Sequence, residues 1–183
     1  SLVALGFVLI YKASGVFNFA QGEFLMLGAY LCLSFLVQAH LPLWAALALT
    51  IGVMALVALI LERLVLRPLI GEPVISIIMA TIGLALVFKA ATAVAWGTQL
   101  LSFPAIFPDL PIKLGQVIIS QVYIWTFCTA MLLMVAFALF FKFTRLGIAM
   151  RATANSHQVA LSMGISVKSI FALSWAISAV VSA

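Results

Sequence analysis

Charge is scarce in this sequence: nine of its 183 residues are Lys or Arg and four are Asp or Glu, against 67% hydrophobic residues. No soluble domain could cover so much apolar side chain, which excludes a water-soluble enzyme or binding module and implies a membrane protein. Cysteine is nearly absent. Cys32 and Cys128 lie in different apolar segments with no second ligand near either, and are expected to be buried small hydrophobes. His40 and His157 fall on opposite sides of the membrane in the topology below, so they cannot share a metal. There is no GxxxxGK[ST] phosphate loop, no HExxH and no nucleophile elbow, so this chain cannot hydrolyse ATP alone.

Long apolar runs are what it has instead. A helix needs about 20 apolar residues to cross the hydrocarbon core of a bilayer. Residues 42–61, 74–94 and 121–141 are uninterrupted runs of that length, and a fourth span, 16–37, carries a polar cluster. Residues 1–10 and 169–183 read as truncated spans, and Lys12 stands on the wrong side of the first run for a signal peptide. The expected fold is therefore all-α: a polytopic transmembrane helical bundle in one domain over 1–183, a fragment with about four full spans and two truncated ones.

The few charges sort by side. Lys142, Arg145, Arg151 and Lys168 fall in one loop, Arg63 and Arg67 in another and Lys12 in a third, whereas 95–120 holds only Lys113. By the positive-inside rule the basic loops are cytoplasmic, and the four spans then alternate in direction without contradiction. Lys89 is the exception, near the outer end of its span, where its stem can snorkel to the interface or serve a pathway.

Two regions stand out against this background. In 11–30, YKASGVFNFAQGEFLMLGAY, the polar residues Asn18, Gln21 and Glu23 sit beside Gly15 and Gly22 between apolar runs. An ionisable group at membrane depth is costly and marks a functional site by default. A structural reading has Asn18 capping the following helix, Gln21 completing a capping box and Glu23 meeting the helix dipole in the first turn. A functional reading has Gly15 and Gly22 breaking the helix, with Asn18, Gln21 and Glu23 on a substrate pathway and Glu23 facing an ammonium group or Lys12.

The second region, FTRLGIAMRATANSHQVALSMGISVKS at 143–169, reads as two short helices. Thr144 can cap the first, with Leu146 and Met150 forming a stripe and Arg145 and Arg151 outside it. Asn155 or Ser156 can cap the second, which ends at Gly164. Such a unit either lies on lipid headgroups or fits a groove on a partner. On the other side, the 95–120 loop carries Pro104, Pro108 and Pro111, with apolar Leu100, Leu101, Phe103, Ile106 and Phe107, and 112–120 around Gly115 can form a short hairpin.

The blocks GVFNFAQGEFLMLGAY, LERLVLRP, ATIGLALVF and TRLGIAMRATANSHQVALSMGI, in that order, resemble the membrane permease subunits of bacterial ABC importers for branched-chain amino acids, over essentially the whole chain. The resemblance implies a non-enzymatic transport subunit of the bacterial inner membrane that moves branched-chain amino acids, or a related amino acid, urea or amide, by ATP-driven alternating access. Its implied partners are ATP-binding subunits, a second permease subunit, a periplasmic substrate-binding protein and the lipid bilayer, with no nucleic acid. No cofactor is bound by this chain, and ATP sits on the partner. The loop 142–168 corresponds to the element that docks on the ATPase, which assigns coupling to Arg145, Gly147, Arg151, Ala152, Asn155, Ala160 and Gly164. Gln158 and Val159 depart from the Glu-Ala of the general importer pattern, while Ala160 and Gly164 keep its small residues. The alternative is a stand-alone secondary transporter or channel, which would normally carry more paired charges in its spans than Glu23 and Lys89.

Overall fold

A computed structural model of the chain describes residues 4, 6–8, 10–11, 15, 17–99, 101–103, 112–114 and 117–182. Lys12, Leu100, Pro104, Ile106, Phe107, Pro108, Pro111 and Gly115 lie outside the described residues. The described elements are helices α1 (Gln21–Val37), α2 (Leu43–Leu61), α3 (Val74–Trp96), α4 (Gln121–Phe143), α5 (Arg145–Asn155), α6 (His157–Ser162) and α7 (Val167–Ser182). A two-stranded antiparallel hairpin, β1 (Ile112–Leu114) and β2 (Val117–Ile119), pairs Ile112 with Ile119 in the outer loop, where the residues around Gly115 predict one. The bundle is otherwise helical, as expected.

Three helical stretches are long and apolar enough to cross a membrane: Leu43–Leu69, Val74–Trp96 and Gln121–Phe143. The fourth expected span is shorter than its apolar run. Helix α1 starts at Gln21, because residues 17–20 turn instead of coiling, and its 17 residues rise about 25 Å against a core of about 30 Å. Past Leu61, α2 continues as a π-helical turn, Glu62–Leu66, and a 3-10 turn, Arg67–Leu69, ended by Pro68 and the positive φ of Gly71.

Lipid is as apolar as leucine, so helices in a membrane associate by close packing rather than by escape from water. The buried stripe of α2 shows this: Ala46, Thr50, Met54 and Ala58 recur every fourth residue, and three of the four are small. The main core joins Phe24, Met54, Ala58, Phe88, Trp175 and Ala179 from α1, α2, α3 and α7. Phe24 meets Phe88 edge-on with ring centroids 5.1 Å apart. A second cluster joins Phe141 of α4, Met150 of α5 and Ile170 of α7, and a third joins Ala160 of α6 to Val167 and Phe171 of α7.

Helix α4 stands apart. Phe141 is its one buried residue among those described, and Trp125, Phe127 and Leu132 are exposed. Cys128 on the same helix is exposed rather than buried, because α4 packs only near its end against α5; Cys32 is buried as expected.

Candidate functional site

Residues 17–20 are not helical and are held by side chains. Gly15 has φ +73°, a conformation that glycine adopts without strain. The Ala20 N–H donates to Asn18 Oδ1 (3.0 Å) and the Phe19 N–H donates to Thr81 Oγ1 of α3 (3.3 Å), which satisfies backbone groups that lipid could not. Gly22, expected to help break the helix, lies instead within the first turn of a continuous α1, exposed and with open space where a Cβ would stand.

The expected capping box is not formed. Ala20 occupies the N-cap position with no side-chain cap. Asn18 turns its carbonyl oxygen to Ala20 and donates its amide to Gln21 Oε1 (3.3 Å), so its side chain stabilises the turn before the helix rather than the helix end. Gln21 does not reach back to the Asn18 backbone. Its Oε1 accepts from the Ser178 hydroxyl (2.8 Å), and its Nε2 donates to Ser182 Oγ, both on α7. Ser182 in turn donates to the Ser178 carbonyl (2.9 Å). Asn18 is 0% and Gln21 1% exposed, so the cluster is sealed and its amides are paired within the chain. Gly6 is in contact with the Gln21 amide, and a Cβ there would collide with Nε2. Glu23 sits in the first turn of α1, as the dipole argument requires, and is half-buried.

Two helical rulers give the depth of this cluster. Ile70 packs in the cluster that holds Val167 and Phe171, so α3 and α7 start at the same basic end of the bundle. Ser178 is eleven residues beyond Val167 and Thr81 seven beyond Val74, which places Asn18–Gln21 about 10–16 Å in from that end at 1.5 Å per residue.

At the basic end, α5 and α6 form a braced unit. Thr144 caps α5 by accepting from the Gly147 N–H (3.0 Å), as its position predicts. Ser156, rather than Asn155, caps α6 by accepting from the Val159 N–H (3.3 Å). Helix α6 ends as expected at Gly164, φ +79°, where the Ile165 N–H donates back to the Ala160 carbonyl (2.9 Å). The buried face of α5 is Gly147, Met150 and Thr153, spaced by three, and Leu146 is exposed; the expected Leu146–Met150 stripe is corrected because Gly147 turns toward α4. A Cβ at Gly147 would lie 2.5 Å from the Phe140 carbonyl oxygen and 2.6 Å from Phe141 Cα, so only glycine permits this approach. Ala160 is buried against α7, Ala152 is half-buried, and Arg145, Arg151, Asn155 and Gln158 are exposed beside Ile148, Val159 and Met163.

Sequence reasoning missed Ser178 and Ser182, which hold Gln21, and Glu62, which is 4% exposed at the π turn with no hydrogen-bond partner for Oε1 among the described residues. Position alone carries no signal for these pairings, since Ser178 and Ser182 lie 157 and 161 residues from Gln21. At the opposite end of the bundle, Leu33, Ser34, Val37, Gln38 and Trp96 line a cleft of about 200 Å³, where Trp96 Nε1 donates to Ser34 Oγ (2.6 Å). Among the described residues no group of three His, Cys, Asp or Glu could hold a metal.

A bundle of membrane-length apolar helices, with a sealed polar cluster at depth and a capped, outward-facing helix pair at its basic end, defines a polytopic membrane protein. The sequence model of the family described as "Branched-chain amino acid transport system / permease component" matches residues 1–183, and the chain belongs to that family. It is 29% identical over 195 residues to the high-affinity branched-chain amino acid transport system permease protein BraD of Pseudomonas aeruginosa, covering 100% of this chain and 64% of that protein. The LivH permease protein of Escherichia coli K12 is 25% identical over 199 residues, covering 100% and 63%. A probable branched-chain amino acid transport permease protein LivH of Methanocaldococcus jannaschii is 30% identical over 187 residues, covering 97% and 58%. The chain thus spans less than two thirds of the length of these relatives. No solved structure matches it.

Proposed function

We propose that this chain is part of the membrane-spanning permease subunit of a binding-protein-dependent ABC importer of the bacterial inner membrane, moving branched-chain amino acids or a related amino acid, urea or amide. The observation that carries the reading is the α5–α6 unit: its inner side is fixed by Gly147, Met150 and Ala160, while Arg145, Arg151 and Asn155 face outward with exposed apolar neighbours. A rigid body with a free mixed face suits a macromolecular partner whose acidic rim pairs with the arginines.

The partner is a separate ATP-binding subunit, which carries the ATP; this chain binds no cofactor. Closure of two such subunits pushes α5–α6 as a body, and the attached helices tilt so that a central path opens alternately to each face. A second permease subunit completes the path and a periplasmic binding protein delivers substrate. Glu23, half-buried in the first turn of α1, is the cluster member available to a substrate ammonium, while Asn18 and Gln21 shape the wall behind it. Arg151→Glu in the full-length protein tests the reading. Uptake is expected to fall about tenfold with insertion unchanged, because the variant no longer retains the ATP-binding subunit. Undiminished uptake in vesicles without ATP would instead favour a stand-alone transporter or channel.

A further inference from the structure

Helix α7 touches both polar regions. Its first turns are gripped by the coupling unit: Val167 and Phe171 pack on Ala160 of α6, and Ile170 packs with Met150 of α5. Its last turns hold α1 through Ser178 and Ser182, which take both ends of the Gln21 amide. Ile170 and Ser178 are eight residues apart, about 12 Å of continuous helix that moves as one piece.

We propose that Gln21 is a positioning residue that ties the start of α1 to α7, so that displacement of α5–α6 reaches the non-helical chain at 17–20 as movement of a single body. This rests on the importer reading above. The four residues before Gln21 are not helical, so chain continuity does not fix where α1 begins; side-chain bonds do. Phe19 is bonded to Thr81 of α3, and Gln21 is bonded to α7, so the turn spans two helices and a shift of α7 against α3 must deform it. Ser178 also donates to the Gly6 carbonyl (3.4 Å); contacts such as Trp175 with Phe24 are apolar and can slide, whereas a sealed amide that loses its serines is left with unpaired polar atoms. The amide fills the space that a side chain at residue 6 would need.

The test uses the full-length permease assembled with its ATP-binding subunits and binding protein in proteoliposomes, with labelled leucine as the probe. Uptake and ATP hydrolysis are both measured per assembled complex. Gln21→Met keeps the length of the side chain and removes its polar atoms. The tie predicts normal assembly with uptake per ATP lowered about tenfold. Unchanged uptake per ATP in Gln21→Met overturns the tie, as does a loss of uptake that only tracks a loss of assembled complex. Should Gln21→Met fail to assemble, Ser178→Ala with Ser182→Ala removes the same bonds from the helix side and is judged by the same ratio. ATP-independent leucine uptake by the wild type would overturn the importer reading and the tie with it, whereas a coupled wild type with an equally coupled Gln21→Met overturns the tie alone.

Discussion

The two polar regions of this chain handle polarity in opposite ways. Around 17–21 the amides of Asn18 and Gln21 turn inward, find partners on their own turn and on α7, and are closed off from the surface. Around 144–165 the hydroxyls of Thr144 and Ser156 are used on helix ends, the small residues Gly147 and Ala160 face inward, and the charged and amide side chains face out. Sealed and paired polarity fixes helices to one another. Capped ends with an open polar face make a body built to be touched. The difference teaches that, in a chain this poor in charge, the surroundings of a polar residue say more about its task than its type does.

Three substitutions break or sharpen this contrast. The largest effect is expected at Gly147, where an added Cβ meets backbone atoms at 2.5 and 2.6 Å that cannot rotate away. Gly147→Ala should cost roughly 1–3 kcal/mol of packing and lower the amount of folded protein in size-exclusion profiles. A normal profile would show that α5 is not braced on α4. Next is Gly6→Ala, whose methyl displaces the Gln21 amide; the lost interhelical bonds are worth about 1–2 kcal/mol, seen as a lowered unfolding temperature in detergent. If the variant unfolds at the wild-type temperature, the cluster is not a joint. The smallest effect is expected at Gly22, helical and with open space around it. Gly22→Ala should stabilise by about 0.5–1 kcal/mol and leave transport intact; lost transport would restore Gly22 as a hinge.

Much of this was legible in the sequence wherever the signal was local. Apolar length gave the positions of α2, α3 and α4, and the hydroxyl at Thr144 and the glycine at Gly164 marked helix ends that the structure has. A short hairpin over 112–120 was one of the expectations, and the strands Ile112–Leu114 and Val117–Ile119 pair as one. What was not legible depends on distant chain. Asn18 has the sequence of a helix cap, but Gln21 is drawn to serines more than 150 residues away, and no local pattern reports such a pairing. The stripe on α5 shifted by one residue for a similar reason, since the close approach of α4 selects Gly147 over Leu146 for the inward position. Cys128 was misread because an apolar helix looks the same whether its face meets protein or lipid.

The most direct measurement is affinity purification of the full-length protein from native membranes, in the wild type and as Arg151→Glu, with ATPase activity assayed on what is retained. The account predicts that the wild type holds a nucleotide-binding subunit and that the variant, normally inserted, loses it, because the exposed face of α5–α6 is the docking surface proposed above. A variant that retains the subunit and its coupled ATPase as well as the wild type does, or a wild type that retains no ATPase in mild detergent, would contradict it.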